Sequence, residues 1–479
     1  MEPLTWTGGL GDVLDPLFLV SIIALLVSAA LSIVVSVATP AQRIVVNPDG
    51  TIAAAEGLPG LTAKAQRWSL YAVIGIALAY VVGGAVLSWQ GAGILGGMSR
   101  QLVPVWISLV ALFAVSVATK RSTGLYGKLF DSTVGMIGFA LVMFWVFTAL
   151  YTGAFGLIAT HDPLTQVSGM KNEVPGSPFS DEGYPFYLLG GDNLARDVFS
   201  RVVSGSVIVV MIAPLATLFA FMVGIVLGLP AGYYGGKLDT ILSFLANLIL
   251  AFPVILLFYL LVTPEIRQTG LPSYMGVALF LAPIAFAAVL IWSRYRTQPS
   301  RAYTLLAIVL IPLVWLYLSV INDPSTPIDF LGGIDLFDIA GGVLTVFVSV
   351  VFVNSPTVFR IVRGLTLDIK TRDYVAAAQT RGETPWYIML WEILPNARGP
   401  LIVDFCLRIG YTTILLGTLG FFGLGLPPES PDWGSTINDG RRLLSIYPHP
   451  AIVPAVALLS LVLGLNLLAD GLREESLRD

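Results

Sequence analysis

Charged side chains inside an apolar run are the first place where this chain could do chemistry. The run 401–424 holds Asp404 and Arg408, four residues apart and so stacked on one face if the run is helical. A lone charge at the centre of a helix in lipid costs about 2.5–3.5 kcal/mol on insertion scales, and less near the ends. Two readings stay open: a mutual ion pair or an arginine reaching the interface, or a pair that faces a polar pathway and handles substrate or protons. Two further charged groups lie in Pro- and Gly-rich stretches between apolar runs: Asp192, Arg196 and Asp197 in one, and Trp433, Asp439 and Arg441 in the other. The stretch "WGSTINDGRRLL" (433–444) fits a short amphipathic helix with Trp433 as an interfacial anchor.

Residue types for covalent, phosphate or metal chemistry are not at workable spacings. "GGKLD" (235–239) comes closest to a phosphate loop, but Ala231 stands where the first glycine is required and Leu238 where a Ser or Thr is required. His161 and His449 lie in separate segments without ligand spacing, so no metal and no cofactor is expected. No nucleophile–base constellation is present, so the chain reads as a non-enzyme, and no nucleic-acid partner is expected. The only cysteine, Cys406, cannot close an internal disulfide and reads as a small core residue.

The elements that must position these groups are membrane spans. The chain is 56% hydrophobic and only 12% charged, with mean hydropathy +0.83, whereas a soluble domain is roughly 25% charged. Sufficiently long apolar runs fall near 17–38, 69–88, 102–118, 134–159, 202–231, 240–263, 274–292, 303–321, 339–359, 401–424 and 451–469. That predicts an all-α polytopic protein of eleven helices with its termini on opposite faces. The segment before the first run carries Glu2, Asp12 and Asp15 and no Lys or Arg, so the run reads as a retained span and not a signal peptide.

Lys and Arg concentrate on the cytoplasmic side of membrane proteins. With the C-terminus inside, eighteen of the 26 basic residues fall in inner segments and seven in outer ones, with Arg408 within a span. The opposite orientation reverses that bias, so the N-terminus is expected outside and the C-terminus in the cytoplasm. Outer segments 160–201 and 425–450 then carry nine acidic residues, among them Asp162, Glu173, Asp181, Glu182 and Glu429.

The longest cytoplasmic loop is 360–400, and it contains "DYVAAAQTRGETPWYIMLWEILPN" (373–396). Residues Tyr374 to Thr380 favour a helix, Gly382 supplies a turn that a side chain would strain, and Thr384 with Pro385 fits an N-cap and first helical position. A second short helix over 385–394 is predicted to stop ahead of Pro395. Its apolar residues, Trp386 to Trp391, exceed what a solvated helix needs, and Ala376, Ala377 and Ala378 would let another surface approach closely. A protein-docking elbow and an amphipathic helix lying in the lipid interface both fit.

"AA…G…ILPN" resembles the EAA coupling loop of ABC-importer permeases, at Ala377, Ala378, Gly382, Leu394 and Pro395; Ala376 stands where that motif has its glutamate. "LGGDNLARDVFSRVVSGS" (189–206) resembles the LGTDxxGRD segment of oligopeptide/dipeptide-type permeases. "LPAGYYGGKLDT" (229–240), "FFGLGLPPESPDWGSTINDGR" (421–441) and "NLLADGLREE" (466–475) resemble the same subfamily's inner loop, late signature and C-terminal ending. The resemblance covers about 130–264 and 335–479. It implies a six-helix MetI-like core that forms half of a pathway and pairs with a homologous second permease subunit. Two cytoplasmic ATP-binding subunits and an extracytoplasmic substrate-binding protein complete the assembly in a prokaryotic inner membrane. The loop residues Ala377, Ala378, Gly382, Pro385, Trp386, Leu394 and Pro395 would couple to the ATPase. Asp192, Arg196, Asp197, Trp433, Asp439 and Arg441 would contribute to docking of the binding protein.

Two regions depart from that pattern. Residues 1–119 add three spans, and 265–335 insert a two-span hairpin between core portions 120–264 and 336–479; both read as lipid-facing buttresses, with contact to a partner subunit next. Related importers carry peptides, metal chelates or oligosaccharides, and the subfamily's acidic residue further along the Asp404 helix is Leu416 here. The rival class is an ion-gradient-driven secondary transporter, for which Asp404 is the one supporting feature.

Overall fold

The computed structural model describes residues 2–38, 58–87, 89–179, 183–321, 341–424 and 430–476. Arg43, Asp181, Glu182, Glu429 and Arg478, and residues 425–429 of the late signature, lie outside them. In chain order the helices begin with α1 Gly8–Ala38, α2 Leu58–Val86, α3 Trp89–Gln101, α4 Val103–Thr119, α5 Leu125–Lys128 and α6 Thr133–Gly153. A two-residue antiparallel ladder, β1 Ser177–Pro178 with β2 Phe186–Tyr187, precedes α7 Val198–Tyr234, α8 Gly236–Leu250, α9 Val254–Val262 and α10 Pro264–Gln268. Next come α11 Leu271–Leu279, α12 Leu281–Tyr295, α13 Pro299–Ile321 and α14 Gly341–Ile369. The chain then runs through α15 Asp373–Thr380, α16 Pro385–Tyr387, a π turn Ile388–Ile393, α17 Leu394–Asn396 and α18 Arg398–Phe421, closing with α19 Trp433–Arg441 and α20 His449–Ser476.

Among the described residues nine helices are long and apolar enough to cross a membrane, or up to eleven if each of two bent pairs counts as one span. The eleven apolar runs therefore all become helices. One run, 240–263, is α8 and α9 bent by 83°, where Pro253 interrupts the helical ladder.

The chain divides into two compact units, residues 1–106 with 157–200, and residues 107–156 with 201–479. In the first, α1 and α2 turn large apolar side chains such as Val20, Leu26, Trp68 and Leu78 outward, as lipid-facing helices do. Leu4 N–H donates to Gly176 O and Ile94 N–H to Thr5 O, each at 3.0 Å, tying the start of the chain to the segment that carries β1 and β2 and to α3.

In the second unit, glycines let helix backbones touch. Gly224, Gly228 and Gly232 form a four-residue ladder along α7, and a Cβ at each would lie within 3 Å of Val358, Val362 or Thr366 of α14. Gly138 of α6 meets Gly464 and Leu468 of α20 in the same way. Such small-residue faces drive association where lipid removes the hydrophobic difference between helices.

Two sequence expectations are corrected here. The loop expected from 360 starts ten residues later, because α14 runs unbroken to Ile369. Pro395 also does not end the second loop helix. The path stays helical through the π turn into α17, where Pro395 occupies a first-turn position; such a position has no helical use for the N–H that proline lacks.

Candidate functional site

The segment 373–397 folds as an elbow. α15 ends at Gly382, whose φ of +77° is left-handed. Gly382 N–H donates to Gln379 O at 2.9 Å and Glu383 N–H to Ala378 O at 3.2 Å, the paired bonds of a Schellman cap. Thr384 then caps α16, its hydroxyl accepting from Tyr387 N–H at 3.4 Å, with Pro385 at the first helical position. Arg381 Nη2 donates to Glu392 Oε1 at 2.9 Å, an ion pair that closes the two arms on each other.

One side of the elbow is core. Val375, Ala378, Ile388, Met389, Leu390, Ile393 and Ala397 are buried in one cluster with Phe221 and Leu229 of α7, Val358 and Val362 of α14 and Leu401 of α18. This corrects the idea that all three alanines form an approach surface: Ala376 and Ala377 are exposed, while Ala378 faces inward. The apolar excess of 386–391 is largely spent inside the molecule, with Trp386 half-buried. Ala376, Ala377, Gly382, Pro385 and Pro395 remain on the outside, with Leu394 half-buried between. Lys370 Nζ donates to Gly232 O at 2.8 Å and Gln379 Nε2 to the Tyr233 hydroxyl at 3.3 Å, fixing the elbow to the end of α7. Nearby, Arg363 of α14 makes a two-pronged pair with Asp239 of α8, Nη2 to Oδ2 at 2.6 Å.

Asp404 and Arg408 do pair, Nε to Oδ2 at 2.7 Å and Nη2 to Oδ1 at 3.4 Å, with Arg408 buried. The two charges thus neutralise each other within the helix. Deeper in the same bundle, Thr412 of α18 meets Thr217 of α7 and Asn354 of α14, each at 3.3 Å, all within apolar helices. Sequence reasoning passed over this trio; the isolated Asn354 in an otherwise apolar run was the available signal.

The candidate docking residues divide. Asp192, Arg196 and Asp197 are buried, so their side chains shape the segment from within. Asp192 Oδ1 accepts from the N–H groups of Leu194 and Arg196, at 2.8 and 2.9 Å, and Oδ2 from Arg196 Nε at 2.7 Å. Asp197 accepts from Ser200 N–H at 3.1 Å and from the Thr160 hydroxyl at 2.8 Å, capping the first turn of α7. Between them Ala195 has φ +62°, at the position where the LGTDxxGRD pattern has glycine.

Trp433 is likewise internal, and not an interfacial anchor. It is 1% exposed, its indole N–H donates to Val202 O at 2.8 Å, and its ring meets Trp145 edge-on at 4.9 Å. Buried Arg201 donates to the Thr436 hydroxyl at 3.1 Å and to Ser430 O at 3.3 Å. Asp432 caps α19 through Ser435 N–H at 2.9 Å, and burial pushes its carboxyl above the usual range. Asp439 is half-buried and Arg441 exposed, with the Arg441 guanidinium 5.0 Å over the Phe421 ring.

A bundle of apolar helices with a capped elbow packed on α7, α14 and α18 defines a polytopic membrane protein. Residues 224–474, more than half of the chain, match the family described as binding-protein-dependent transport system inner membrane component, and the chain belongs to that family. It is 30% identical over 288 residues to the glutathione transport system permease protein GsiD of Pectobacterium atrosepticum, covering 60% of this chain and 71% of that one. It is 28% identical over 333 residues to the dipeptide transport system permease protein DppC of Haemophilus influenzae, covering 70% of this chain and 87% of that one. The DppC of Alkalihalophilus pseudofirmus is 26% identical over 321 residues, covering 67% and 81% respectively. The chain is therefore a multi-pass permease component of an ABC importer, and the secondary-transporter alternative falls away.

Proposed function

We propose that the elbow 373–397 is the surface on which a cytoplasmic ATPase subunit docks, and that it transmits nucleotide-driven movement into the bundle. The observation that carries this reading is the elbow's two-sidedness. One face is buried in a single cluster with α7, α14 and α18, while Ala376, Ala377, Gly382 and Pro385 are presented outward. A force applied outside thus reaches three core helices through packed side chains, which are not freely deformable. The excess of basic residues in the segments on the elbow's side supports a cytoplasmic location for that side and the C-terminus, with the N-terminus outside.

In this reading the chain pairs with a homologous permease to enclose the pathway, one ATPase sits beneath each, and a binding protein delivers solute to the opposite face. ATP-driven closure of the ATPase pair moves the elbow as a lever, and the core reopens outward. The relatives named for dipeptide and glutathione transport support peptides or similarly small polar solutes as cargo. Segments 160–201 and 425–450 each contribute to docking of the binding protein in this reading; in the second, Asp439 is half-buried and Arg441 exposed. Purification of the tagged chain from its native membrane tests the assembly: an ATPase and a second permease should come with it, and their absence would refute this arrangement.

A further inference from the structure

The inserted spans reach the elbow. At the last turn of α12, Ser293 is buried and its hydroxyl donates to Leu290 O at 3.0 Å. That leaves its lone pairs for the Trp391 indole N–H, a group that can only donate, at 3.1 Å. Its neighbour Arg294 lies over the Trp391 ring, 4.9 Å from the centroid, and donates through Nη1 to the Tyr387 hydroxyl at 3.2 Å. One turn or two earlier, Phe286, Val289 and Leu290 join the apolar cluster that holds Ile388, Leu390 and Ile393. Phe286 and Val289 also face Trp386 and Leu390 across a small apolar crevice shared with α7.

The other end of the insert is anchored to the core. Gly276 of α11 lies against Val348 of α14, and Phe280 is buried in a second cluster with Val348, Val350 and Ile212. The Tyr317 hydroxyl donates to Val277 O at 3.0 Å, tying α13 to α11. The α11–α12 span thus runs from one end of α14 to the π turn of the elbow.

We propose that the inserted hairpin is a brace that sets the angle of the coupling helix, with Ser293 and Arg294 as positioning residues for transport. This rests on the docking role given to the elbow above. α7 and α14 support the elbow's inner face, and α12 supports the flank that carries Trp386, Tyr387 and Trp391. Without α12, the Trp391 indole loses its acceptor and its cation together, and the elbow can rock about the Gly382 turn.

Two measurements on the full-length chain test this with Ser293→Ala, Arg294→Ala and the conservative Arg294→Lys, which keeps charge but loses the planar stack. Hydrogen exchange in lipid nanodiscs should speed up in amides 385–397 for Arg294→Ala, by about tenfold or ~1.4 kcal/mol, with amides of α6 and α20 unchanged. In the reconstituted importer, ATP consumed per solute moved should rise about three- to tenfold for Arg294→Ala and less for Arg294→Lys, while the ATPases still co-purify. Unchanged exchange, or an unchanged ATP-to-solute ratio, overturns the brace. Failure of the ATPases to bind the unaltered chain would instead refute the docking role, and exchange alone would then decide whether α12 holds the segment.

Discussion

Replacement of Gly382 by a graded series tests whether the elbow's geometry carries coupling. The residue sits at φ +77°, and a Cβ there meets no heavy atom within 4 Å. Side chains added at this point therefore cost backbone strain and little else. For an L-residue that strain is about 1–2 kcal/mol, with asparagine at the low end because it tolerates the left-handed region and valine at the high end. Relief requires Gly382 to leave this region, which breaks the bonds to Gln379 O and Ala378 O and swings α15 away from α16. A cost of ~1 kcal/mol lowers the fraction of correctly bent elbow roughly fivefold relative to its opened form. Uptake in membrane vesicles, normalised to permease abundance, should then fall in the order Gly, Asn, Ala, Val. Equal uptake for Asn and Val at equal abundance would refute the strain argument and point to contact with the docked partner instead.

Three further outcomes are expected. Ala195→Gly should raise thermal stability by about 1 kcal/mol, because Ala195 holds φ +62° where only glycine avoids strain; a lower melting temperature in detergent would refute this. Asp404→Ala should cost about 3–5 kcal/mol by leaving Arg408 buried and unpaired, while the double change Asp404→Leu with Arg408→Met should recover most of it; a double variant no better than the single would show that the pair does more than neutralise itself. Asp432 has a raised folded-state pKa, so its neutral form is favoured in the fold and the protein loses stability as pH rises from the ordinary carboxylate value through the raised one. Asp432→Asn keeps the cap and should flatten melting temperature against pH across that range, which a thermal-shift titration reads directly.

Much of this fold was legible because its signals are local. The apolar runs became helices, although α1 and α2 begin nine and eleven residues ahead of their runs and α14 ends ten beyond its own, and the Gly382 turn with its Thr384–Pro385 restart depends on residues that carry their own geometry. What escaped were consequences of packing. Asp192, Arg196 and Asp197 read as surface because isolated charges usually are, yet they satisfy one another and nearby N–H groups and so can be buried. Trp433 read as an interfacial anchor, but a vacancy beside Gly205 and Trp145 receives it, and Gly205 Cβ would overlap its ring. Trp386 to Trp391 looked like surplus apolar surface because α12, nearly a hundred residues earlier, covers it. Even the π turn was invisible, since the sequence shows only a proline and not the widened turn that accommodates it.

That turn has a consequence for how this region can vary over time. Connecting segments ordinarily gain and lose residues freely. Here helical hydrogen bonding runs from Pro385 almost without a break into α18, so each residue inserted or removed rotates everything downstream by about 100°. One deletion between Ile388 and Ile393 is the exception: the widened turn holds one extra residue, so its relaxation to an ordinary turn would keep the Asp404–Arg408 face of α18 near its present neighbours. Length changes between Thr384 and Arg398 should therefore be confined to that turn, while substitutions accumulate elsewhere in the segment.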